Sequence, residues 1–464
     1  MEKLMLICAP VTSRSGYGDH ARDLVWSFME SNKYDIKILD VRWGDCPRNA
    51  LNKDNPKDKK MLDCILRKPE TDRQPDIYVD IRIPNEFETF GKYNIGITAG
   101  IETNAVSQKW IEGSNKMDLV IVPSEHSKDG FVNSIYDKVQ NLPNGQQQKV
   151  GEFKFEKPIE VVFEGSDEDI YKPLKSNEIN SDFLDTINEK VPEDSAFLCV
   201  GQWTQGGFGE DRKDLGRTIK CFIEAFENKK KQPALILKSN GATFSIMDKE
   251  TTLKKIEHIK SMFPTDWKLP NVYLLHGDLS DEEMNFLYNH PKIKALVSLT
   301  HGEGYGRPLQ EATMTGLPVI ASNWSGHLDF LDTEKSILLG GDLQQVPQSV
   351  VWENIIIPQA QWFVVDELKF IRALTYVFED SKNEVKNKAK ALMKINRNKF
   401  TLRKMTELLN NIVDGYTKDM PTQVGFNLPK LKKQDSGTKI NKTKNVANSI
   451  KLPKLKKVTE GASV

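Results

Sequence analysis

The stretch "HGEGYGRPLQEATMTGLPVIASNWSG", His301–Gly326, decides the fold. It follows the apolar run "ALVSLT", which predicts a buried strand, and its three glycines precede Pro308 and a run of helix-forming residues. Proline fits the first turn of a helix, and Gly316 fits the end of that helix. A strand, a glycine loop and a helix in this order predict one βα unit of a parallel α/β sheet.

The same alternation fills most of the chain. In the first half, apolar runs such as "KLMLICAP", "YDIKILDV" and "DLVIVPS" are separated by helical stretches, and a second series runs from "AFLCVG" to "PVIAS". The polar stretch 175–195 between them predicts a connector or a surface helix. Two helices, in "DELKFIRALTYVFED" and "FTLRKMTELLNNIVDGY", are expected to close the second series. The sequence therefore predicts two doubly wound α/β units with parallel sheets.

The last segment, residues 421–464, has a different composition. It contains ten lysines against one aspartate and one glutamate, and "LPKLKK" occurs twice, at Leu428–Lys433 and Leu452–Lys457. Because the whole chain is balanced, with 65 basic and 65 acidic residues, the part before the segment has a net charge of about −8. We predict a disordered lysine-rich tail that binds polyanions, with a purely solubilising role as the alternative.

Composition also bears on compartment. The five cysteines and seven histidines form no zinc-like spacing, so we expect free thiols in a reducing compartment. The start "MEKLMLICAP" is too short and too charged for a signal peptide, and no apolar run approaches about 18 residues. We therefore expect a soluble cytoplasmic protein without a transmembrane segment.

The glycine loop has the features of an anion site flanked by carboxylates. Gly304 and Gly306 let the backbone approach a ligand, and the helix N-terminus that follows favours a phosphate. Glu303 lies within the loop and Glu311 lies in the helix after it. A carboxylate beside a phosphate is unfavourable unless it binds hydroxyl groups, which donate to it. A nucleotide-sugar, with two sugars joined by a diphosphate, satisfies both demands; solvated surface carboxylates are the alternative.

The motif "HGEGYGRPLQEATMTGLPVIAS" resembles the donor-site signature of retaining glycosyltransferases with the GT-B fold, of the family 4 type. The segments "GIETNAVSQKWIEGSNKMDLVIVPSEHSKDGF", "VVFEGSDEDIYKP" and "VYLLHGDLSDEEMNFLYNH" resemble other parts of that family in the same order, so the likeness covers residues 3–418. It implies two Rossmann-like domains facing each other across a cleft. These are an acceptor-side domain over residues 1–180, to which a helix at 400–418 returns, and a donor domain over residues 190–399.

The resemblance assigns roles to the donor loop. Glu303 matches the acid that binds the donor sugar, and Glu311 matches the acid that binds ribose. Gly304, Tyr305 and Gly306 match a loop whose backbone amides surround the sugar and the phosphates.

The family clamps the diphosphate with an arginine and a lysine. Lys213 matches the lysine, but Gln202 stands where the arginine is expected, and Arg212 is the candidate replacement. Lys238, at the end of "ALILKS", is a second cationic candidate. An exposed helix start is the alternative interpretation of Arg212 and Lys213.

The loop "SRSGYGDHARDL" resembles the N-domain glycine loop that faces the donor. Gly16 and Gly18 would let the Gly18 amide reach the diphosphate, and a plain β–α turn is the alternative. Asp19 is an acceptor-side candidate that could instead cap the helix. Glu102 matches an acidic position near the cleft, with a buried structural role as the alternative.

The resemblance implies transfer of a hexose or pentose from a nucleotide-diphosphate sugar to an acceptor hydroxyl, with retention of anomeric configuration. Glu303, Lys213 and Arg212 are the expected catalytic group. No metal cofactor is required, because the cations stabilise the leaving diphosphate. The triplet "DED", Asp167–Asp169, looks like the D-x-D of metal-dependent transferases, but it lies in the loop beside the linker. The acceptor, a glycan, a lipid or modified DNA, stays open.

Three other activities remain as alternatives. One is a phage-type DNA-base glycosyltransferase that acts on a hydroxymethylated base, which the basic tail would suit. A second is a non-catalytic nucleotide-sugar-binding protein, and a third is a related phosphorylase or epimerase. A dinucleotide oxidoreductase is disfavoured, because the first glycine loop lacks the third glycine of G-x-G-x-x-G.

Overall fold

The structure, a computed structural model, describes residues 2–141, 147–203, 206–241 and 243–420. The predicted lysine-rich tail at 421–464 lies outside the described residues. Within the described ranges, every helix is too short or too polar to cross a lipid bilayer.

Strands and helices alternate along most of the described chain. The strands are β1 Lys3–Ala9, β2 Tyr34–Asp40, β3 Ile77–Ile81, β4 Tyr93–Ile97, β5 Leu119–Val122, β6 Tyr136–Asn141, β7 Gln147–Phe153, β8 Ile159–Val161, β9 Ala196–Val200, β10 Ala234–Lys238, β11 Val272–Leu275, β12 Ile293–Ser298, β13 Val319–Ser322, β14 Ile337–Leu339, β15 Gly341–Gln345 and β16 Gln361–Val365. The helices are α1 Gly16–Glu30, α2 Pro56–Cys64, α3 Gln108–Ser114, α4 Glu125–Asn133, α5 Ser181–Lys190, α6 Leu215–Phe226, α7 Ile246–Lys260, α8 Asp281–Tyr288, α9 Arg307–Thr315, α10 Glu367–Glu379, α11 Glu384–Lys399 and α12 Leu402–Thr417.

Two six-stranded parallel sheets form the centres of two domains. The first has the strand order β2-β1-β3-β4-β5-β8, and the second has the order β11-β10-β9-β12-β13-β14. The second order is that of the dinucleotide-binding fold, and the first has the flavodoxin-like order. In each sheet the order reverses once, between β1 and β3 and between β9 and β12, and ligands bind beyond the carboxyl ends of strands at such points.

Each central strand is buried on both faces, which is why it reads as a continuous apolar run. Along β1, Met5 and Ile7 pack with α1 and α12, whereas Leu6 and Cys8 pack on the opposite face with Tyr78. Alternate side chains point to opposite faces of a strand, so one short run contributes to two cores. Burial on both faces therefore fixes the position of β1 in the sheet.

The C-terminal helix α12 packs on the first domain although it follows the second in sequence. Ser27 on α1 and Thr406 on α12 have their hydroxyl oxygens 2.8 Å apart, and the Asn410 side chain donates to the Ser27 carbonyl at 3.0 Å. Leu409 and Val413 of α12 are buried in the core of the first domain.

Several elements had no counterpart among the expectations: helix α11, the antiparallel pair β6–β7, and the antiparallel pair β15–β16. The segment that joins β15 to β16 reaches the first domain. Asn104 and Gln361 exchange hydrogen bonds, since the Asn104 N–H donates to the Gln361 carbonyl at 3.0 Å and the Gln361 N–H donates to Asn104 Oδ1 at 2.8 Å. The Ser107 hydroxyl also donates to the Asn354 carbonyl at 2.7 Å. We call residues 346–360 the connecting segment.

Candidate functional site

The site lies where the strand order of the second sheet reverses. Strands β9 and β12 are neighbours there, so the loops that leave their carboxyl ends meet at one edge of the sheet. The first loop ends in Arg212 and Lys213, and the second contains the glycine loop. The His301 N–H donates to the Arg212 carbonyl at 2.9 Å, which ties the two loops together.

Glu303 is the centre of a cluster of charges from both domains. The Lys213 ammonium lies 2.5 Å from Glu303 Oε1, and Arg212 Nη1 lies 3.6 Å from Glu303 Oε2. The same Arg212 nitrogen lies 3.1 Å from Glu102 Oε1, which belongs to the first domain. Four residues that the sequence singled out separately, Glu102, Arg212, Lys213 and Glu303, are therefore in contact.

Burial and charge act against each other in this cluster. Burial alone would raise the pKa of Glu303, but the adjacent Lys213 and Arg212 outweigh it and lower that pKa below its ordinary value. Burial lowers the pKa of Lys213, and the Glu303 carboxylate opposes that shift. Burial would also lower the pKa of Arg212, but Glu102 and Glu303 raise it. Glu303 is therefore ionised at neutral pH and is held between two cations.

The glycine loop can take its shape because glycines occupy its tightest positions. Gly306 has a φ of +101°, in the left-handed region, and it directly precedes α9. Pro308 occupies the first turn of α9, and Gly316 ends the helix with a φ of +82°, as predicted. The backbone thus turns sharply from β12 into the helix, whose Leu309 and Gln310 N–H groups donate to the Gly306 carbonyl at 3.0 Å and 3.1 Å.

The glycine loop also contacts the first domain. A Cβ added to Gly304 would lie 2.0 Å from the Ala99 carbonyl oxygen. The Gly304 carbonyl accepts hydrogen bonds from the Ser124 hydroxyl at 2.6 Å and from the Ser127 hydroxyl at 3.3 Å. Both serines belong to the start of α4 in the first domain, so the predicted donor loop forms part of the domain contact.

Tyr305 contributes its side chain to the core of the second domain. The ring is buried, and its centroid lies 5.1 Å from that of Phe330. Its hydroxyl has no hydrogen-bond partner among the described residues. The side chain therefore anchors the glycine loop to the core of the second domain. The role predicted for the Tyr305 backbone amide stays a prediction.

Glu311 is buried on α9 among groups of both signs. Arg307 Nε lies 3.7 Å from Glu311 Oε1, and the Tyr288 hydroxyl donates to Glu311 Oε2 at 3.1 Å. Burial raises the pKa of Glu311 to about 7, although Arg307 opposes the shift. Near neutral pH this carboxyl is therefore close to the point where it gains or loses its charge.

The first glycine loop is held by Ser15. The Ser15 hydroxyl accepts a hydrogen bond from the Gly18 N–H at 3.0 Å and caps α1. The capping role considered for Asp19 is therefore wrong, because Ser15 already fills that position, and Asp19 forms an ion pair with Arg22, three residues further along α1. A Cβ on Gly18 would lie 2.3 Å from a backbone oxygen, whereas one on Gly16 would meet no atom within 4 Å.

Two further predicted positions lie at neighbouring strand ends. The Lys238 ammonium donates to the Gly277 carbonyl at 2.7 Å, and burial lowers the pKa of Lys238. The Gln202 side chain donates to the Gly241 carbonyl at 2.7 Å. Lys238 is thus directed toward the loop after β11, whereas Arg212 and Lys213 are directed toward Glu303.

The sequence reasoning missed His301, which joins three segments. Its ring nitrogens lie 2.7 Å from the Phe363 carbonyl oxygen and 3.1 Å from the Gly209 carbonyl oxygen. Its ring stacks on Trp362 of β16 with a centroid separation of 4.2 Å. The position of His301, directly before the glycine loop, was the available signal.

Arg307 was also missed. It lies between the glycine loop and Pro308, and its guanidinium reaches the first domain, where Nη1 lies 2.7 Å from Asp23 Oδ2. A charged residue at the start of an otherwise buried helix was the signal in the sequence.

One group of three possible metal ligands occurs among the described residues, but its charges are already neutralised. It consists of Cys221, Glu224 and Glu367. Lys220 contacts both carboxylates, at 3.1 Å and 2.7 Å, and Arg217 contacts Glu367 at 2.9 Å, so the group is part of an ion-pair cluster with two cations. In the "DED" triplet, the Asp169 N–H donates to Asp167 Oδ1 at 3.0 Å, which is a local turn.

No family profile and no curated protein matches the sequence. Solved structures with the same fold do exist. A glycosyltransferase from Rickettsia africae aligns with a TM-score of 0.57 and 13% identity, covering 90% of this chain and 100% of that one. Sucrose-phosphate synthase from Thermosynechococcus elongatus aligns with a TM-score of 0.56 and 12% identity, covering 90% and 99%.

A third solved structure holds ligands. HepE from Anabaena, in complex with UDP and glucose, aligns with a TM-score of 0.53 and 12% identity, covering 89% of this chain and all of that one. The chain has the GT-B fold. The predicted pair of Rossmann-like domains is therefore confirmed, and the alignments extend over nearly the whole of these proteins.

Proposed function

We propose that the protein is a glycosyltransferase that moves a sugar from a nucleoside diphosphate to an acceptor hydroxyl with retention of configuration. The observation that carries this proposal is the contact between Glu303 and the cations Lys213 and Arg212 beside a glycine-led helix. The Glu303 carboxylate can accept hydrogen bonds from sugar hydroxyls, and the two cations and the helix N-terminus favour a diphosphate. The likeness to named glycosyltransferase structures supports the same activity.

In the proposed reaction, Lys213 and Arg212 exchange their contacts with Glu303 for contacts with the diphosphate. Glu303 then accepts hydrogen bonds from the donor sugar, and Glu311 accepts them from the ribose. The bond between the anomeric carbon and the β-phosphate oxygen breaks, and the acceptor oxygen bonds to that carbon on the same face. The acceptor proton passes to the leaving phosphate, whose charge the two cations and the backbone amides of the glycine loop stabilise.

This site is proposed to act without a metal cofactor. Its positive charges are side chains, and the cluster around Glu303 contains two cations for two carboxylates. Transfer measured with and without EDTA tests this: an activity that EDTA abolishes and Mg²⁺ restores would contradict it.

The proposed donor is a UDP-sugar, since HepE, with the same fold, binds UDP and glucose. GDP-sugars are the competing donors.

The acceptor belongs on the first domain and is a glycan, a lipid or a modified DNA base. The basic composition of residues 421–464 favours a modified DNA base as the acceptor. The second candidate function is therefore that of a phage-type DNA-base glycosyltransferase. The proposed location is the cytoplasm.

A panel of UDP- and GDP-sugars tests the function directly. The full chain should hydrolyse one of them slowly without acceptor, and the released sugar should keep the anomeric configuration of the donor, as read by NMR. The Glu303→Gln variant should slow this hydrolysis by about tenfold or more. Binding of a nucleotide-sugar without any turnover would instead support the non-catalytic alternative, and an inverted product would contradict retention.

A further inference from the structure

Arg307 touches a proposed nucleotide-binding carboxylate and the opposite domain at once. Its guanidinium Nη1 lies 2.7 Å from Asp23 Oδ2 on α1 of the first domain, and its Nε lies 3.7 Å from Glu311 Oε1 on α9. The Glu164 carboxylate, in the segment that leaves β8, lies 3.8 Å from Nη1. The Arg307 side chain is only 19% exposed, so these carboxylates interact with it largely out of water.

The neighbouring groups supply little other positive charge. Arg22 is occupied by Asp19, and His20 is buried and neutral, because burial lowers its pKa to about 3. Arg307 is thus the cation that the described structure places against the carboxylates of Asp23 and Glu311 and against the carboxyl group of Glu164, whose pKa burial raises to about 8. Leaving buried carboxylates without their cation is costly, so a change at one of these contacts alters the others.

We propose that Arg307 is a positioning residue that makes nucleotide binding at Glu311 depend on the contact between the domains. The proposal rests on the ribose-binding role assigned to Glu311. Asp23 fixes the guanidinium beside Glu311 only while α1 and α9 are together. When the domains separate, Arg307 loses that restraint and Glu311 loses a fixed cation. By linkage, a nucleotide bound at Glu311 favours the domain contact by the same factor.

This proposal differs from a purely structural role in one measurable way. The Arg307 guanidinium pairs with both Asp23 and Glu311, so the effect of Asp23 on a nucleotide at Glu311 should depend on Arg307. Asp23→Asn should weaken nucleotide binding, and the weakening should vanish once Arg307 is already replaced. If Asp23 merely supports the fold, its effect should be the same with and without Arg307.

The experiment is a double-mutant cycle on the full chain, with calorimetric binding of UDP, or of GDP if the wild type prefers it. Asp23→Asn should weaken binding about fivefold or more, and Arg307→Leu should weaken it about tenfold or more. The double variant should match Arg307→Leu. Asp23→Glu should restore most of the affinity. Asp414→Asn, which breaks an exposed ion pair with Lys33, is the matched control and should bind as the wild type does.

A pH series adds an independent readout. Glu311 faces charged or titratable groups on every adjoining element, namely Arg307 on α9, Tyr288 and Asp281 on α8, Asp19 on α1, and Tyr171 and Glu164 in the segment after β8. Removing Arg307 leaves mainly acidic neighbours, so the loss of affinity at low pH should begin at a higher pH in Arg307→Leu than in the wild type.

The outcomes separate this proposal from the function on which it rests. Additive effects of Asp23→Asn and Arg307→Leu, or wild-type affinity in either variant, would overturn the coupling. A wild-type protein that binds neither UDP nor GDP would overturn the proposed function instead. Thermal melting of each variant shows whether it is folded, and Arg307→Lys, which keeps the charge, should recover part of the affinity if Arg307→Leu proves unstable.

Discussion

The Lys213 ammonium and the Glu303 carboxylate form a buried ion pair, 2.5 Å apart, at the edge of the second sheet. Because Glu303 also faces Arg212, a neutral amide at this position leaves two cations without their shared partner. We expect Glu303→Gln to lower transfer by about tenfold or more, since a charge-assisted hydrogen bond contributes roughly 1.5–3 kcal/mol. Initial rates with a saturating UDP-sugar provide the measurement. Glu334→Gln, on the exposed surface, is the control. Wild-type rates in the Glu303 variant would exclude Glu303 from the donor site.

Glu311 should make nucleotide binding dependent on pH near neutrality. Its pKa is raised to about 7 by burial, so in the free protein the carboxyl is protonated below that pH. Only the ionised form accepts hydrogen bonds from two hydroxyls with both oxygens. UDP affinity should therefore fall as the pH drops from 8 to 6. The fall should be up to roughly tenfold, because the ionised fraction of Glu311 decreases about tenfold per pH unit below its pKa. Glu311→Gln should bind more weakly at pH 8 and show a flat profile, and a sloping profile in that variant would assign the titration elsewhere.

Glu164 should make the folded state less stable as the pH rises. Burial raises its pKa from an ordinary 4.5 to about 8 in the folded protein. The folded state therefore holds a proton that the unfolded chain releases, and the free energy of unfolding decreases between these two values. Glu164→Gln removes this dependence, so at pH 8 the variant should melt at least about 2 °C above the wild type. At pH 4.5 the two melting temperatures should agree. Equal melting at both values would contradict a buried, protonated Glu164.

Gly304→Ala tests the contact between the glycine loop and the first domain. Its Cβ would lie 2.0 Å from the Ala99 carbonyl oxygen, so the two loops would have to separate. We expect transfer to fall by about tenfold or more, because the serines of α4 would lose the Gly304 carbonyl. Gly415→Ala is a matched control, since a Cβ there meets no atom within 4 Å. Similar rates in both alanine variants would show that the contact has no role in turnover.

Deletion of residues 421–464 separates the tail from the transfer reaction. The segment contributes ten lysines, so its removal should abolish most salt-dependent DNA binding while leaving UDP-sugar hydrolysis unchanged. Fluorescence anisotropy with duplex DNA at low and high salt measures the first effect. If the truncated protein retains the same salt dependence, the nucleic-acid version of the acceptor proposal is wrong.

The fold could be predicted because strands that are buried on both faces appear in the sequence as continuous apolar runs. Strands such as β1 and β12 are covered on both faces, and their continuous apolar runs stand out between polar helices. The glycine loop and the helix after it were equally clear, since Gly306 before α9 and Gly316 at its end have backbone conformations that favour glycine. Glu303 and Glu311 could be named because a carboxylate beside an anion site is unfavourable unless hydroxyl groups donate to it.

Other features depend on contacts that no local pattern encodes. The partners of Arg307 on α1 and in the segment after β8 lie far from it in sequence, and only the packing of two domains brings them together. Helix α11 buries a narrow stripe that includes Val385, Ala389 and Leu392, and its many lysines obscure that stripe in the sequence. The strands β15 and β16 are short and largely polar at one end, so they resemble a loop.

The connecting segment provides a second contact between the two domains, apart from the glycine loop. It belongs to the donor domain in sequence, yet Ser107 donates to the Asn354 carbonyl, and Asn104 and Gln361 bond to each other at its base. Any motion that parts the domains has to break these bonds as well as those of Ser124. In the proposed reaction, nucleotide release requires these bonds to break, so we expect turnover to slow as solvent viscosity rises. We therefore expect substitutions in this segment to change the rate of the proposed reaction without contacting either substrate.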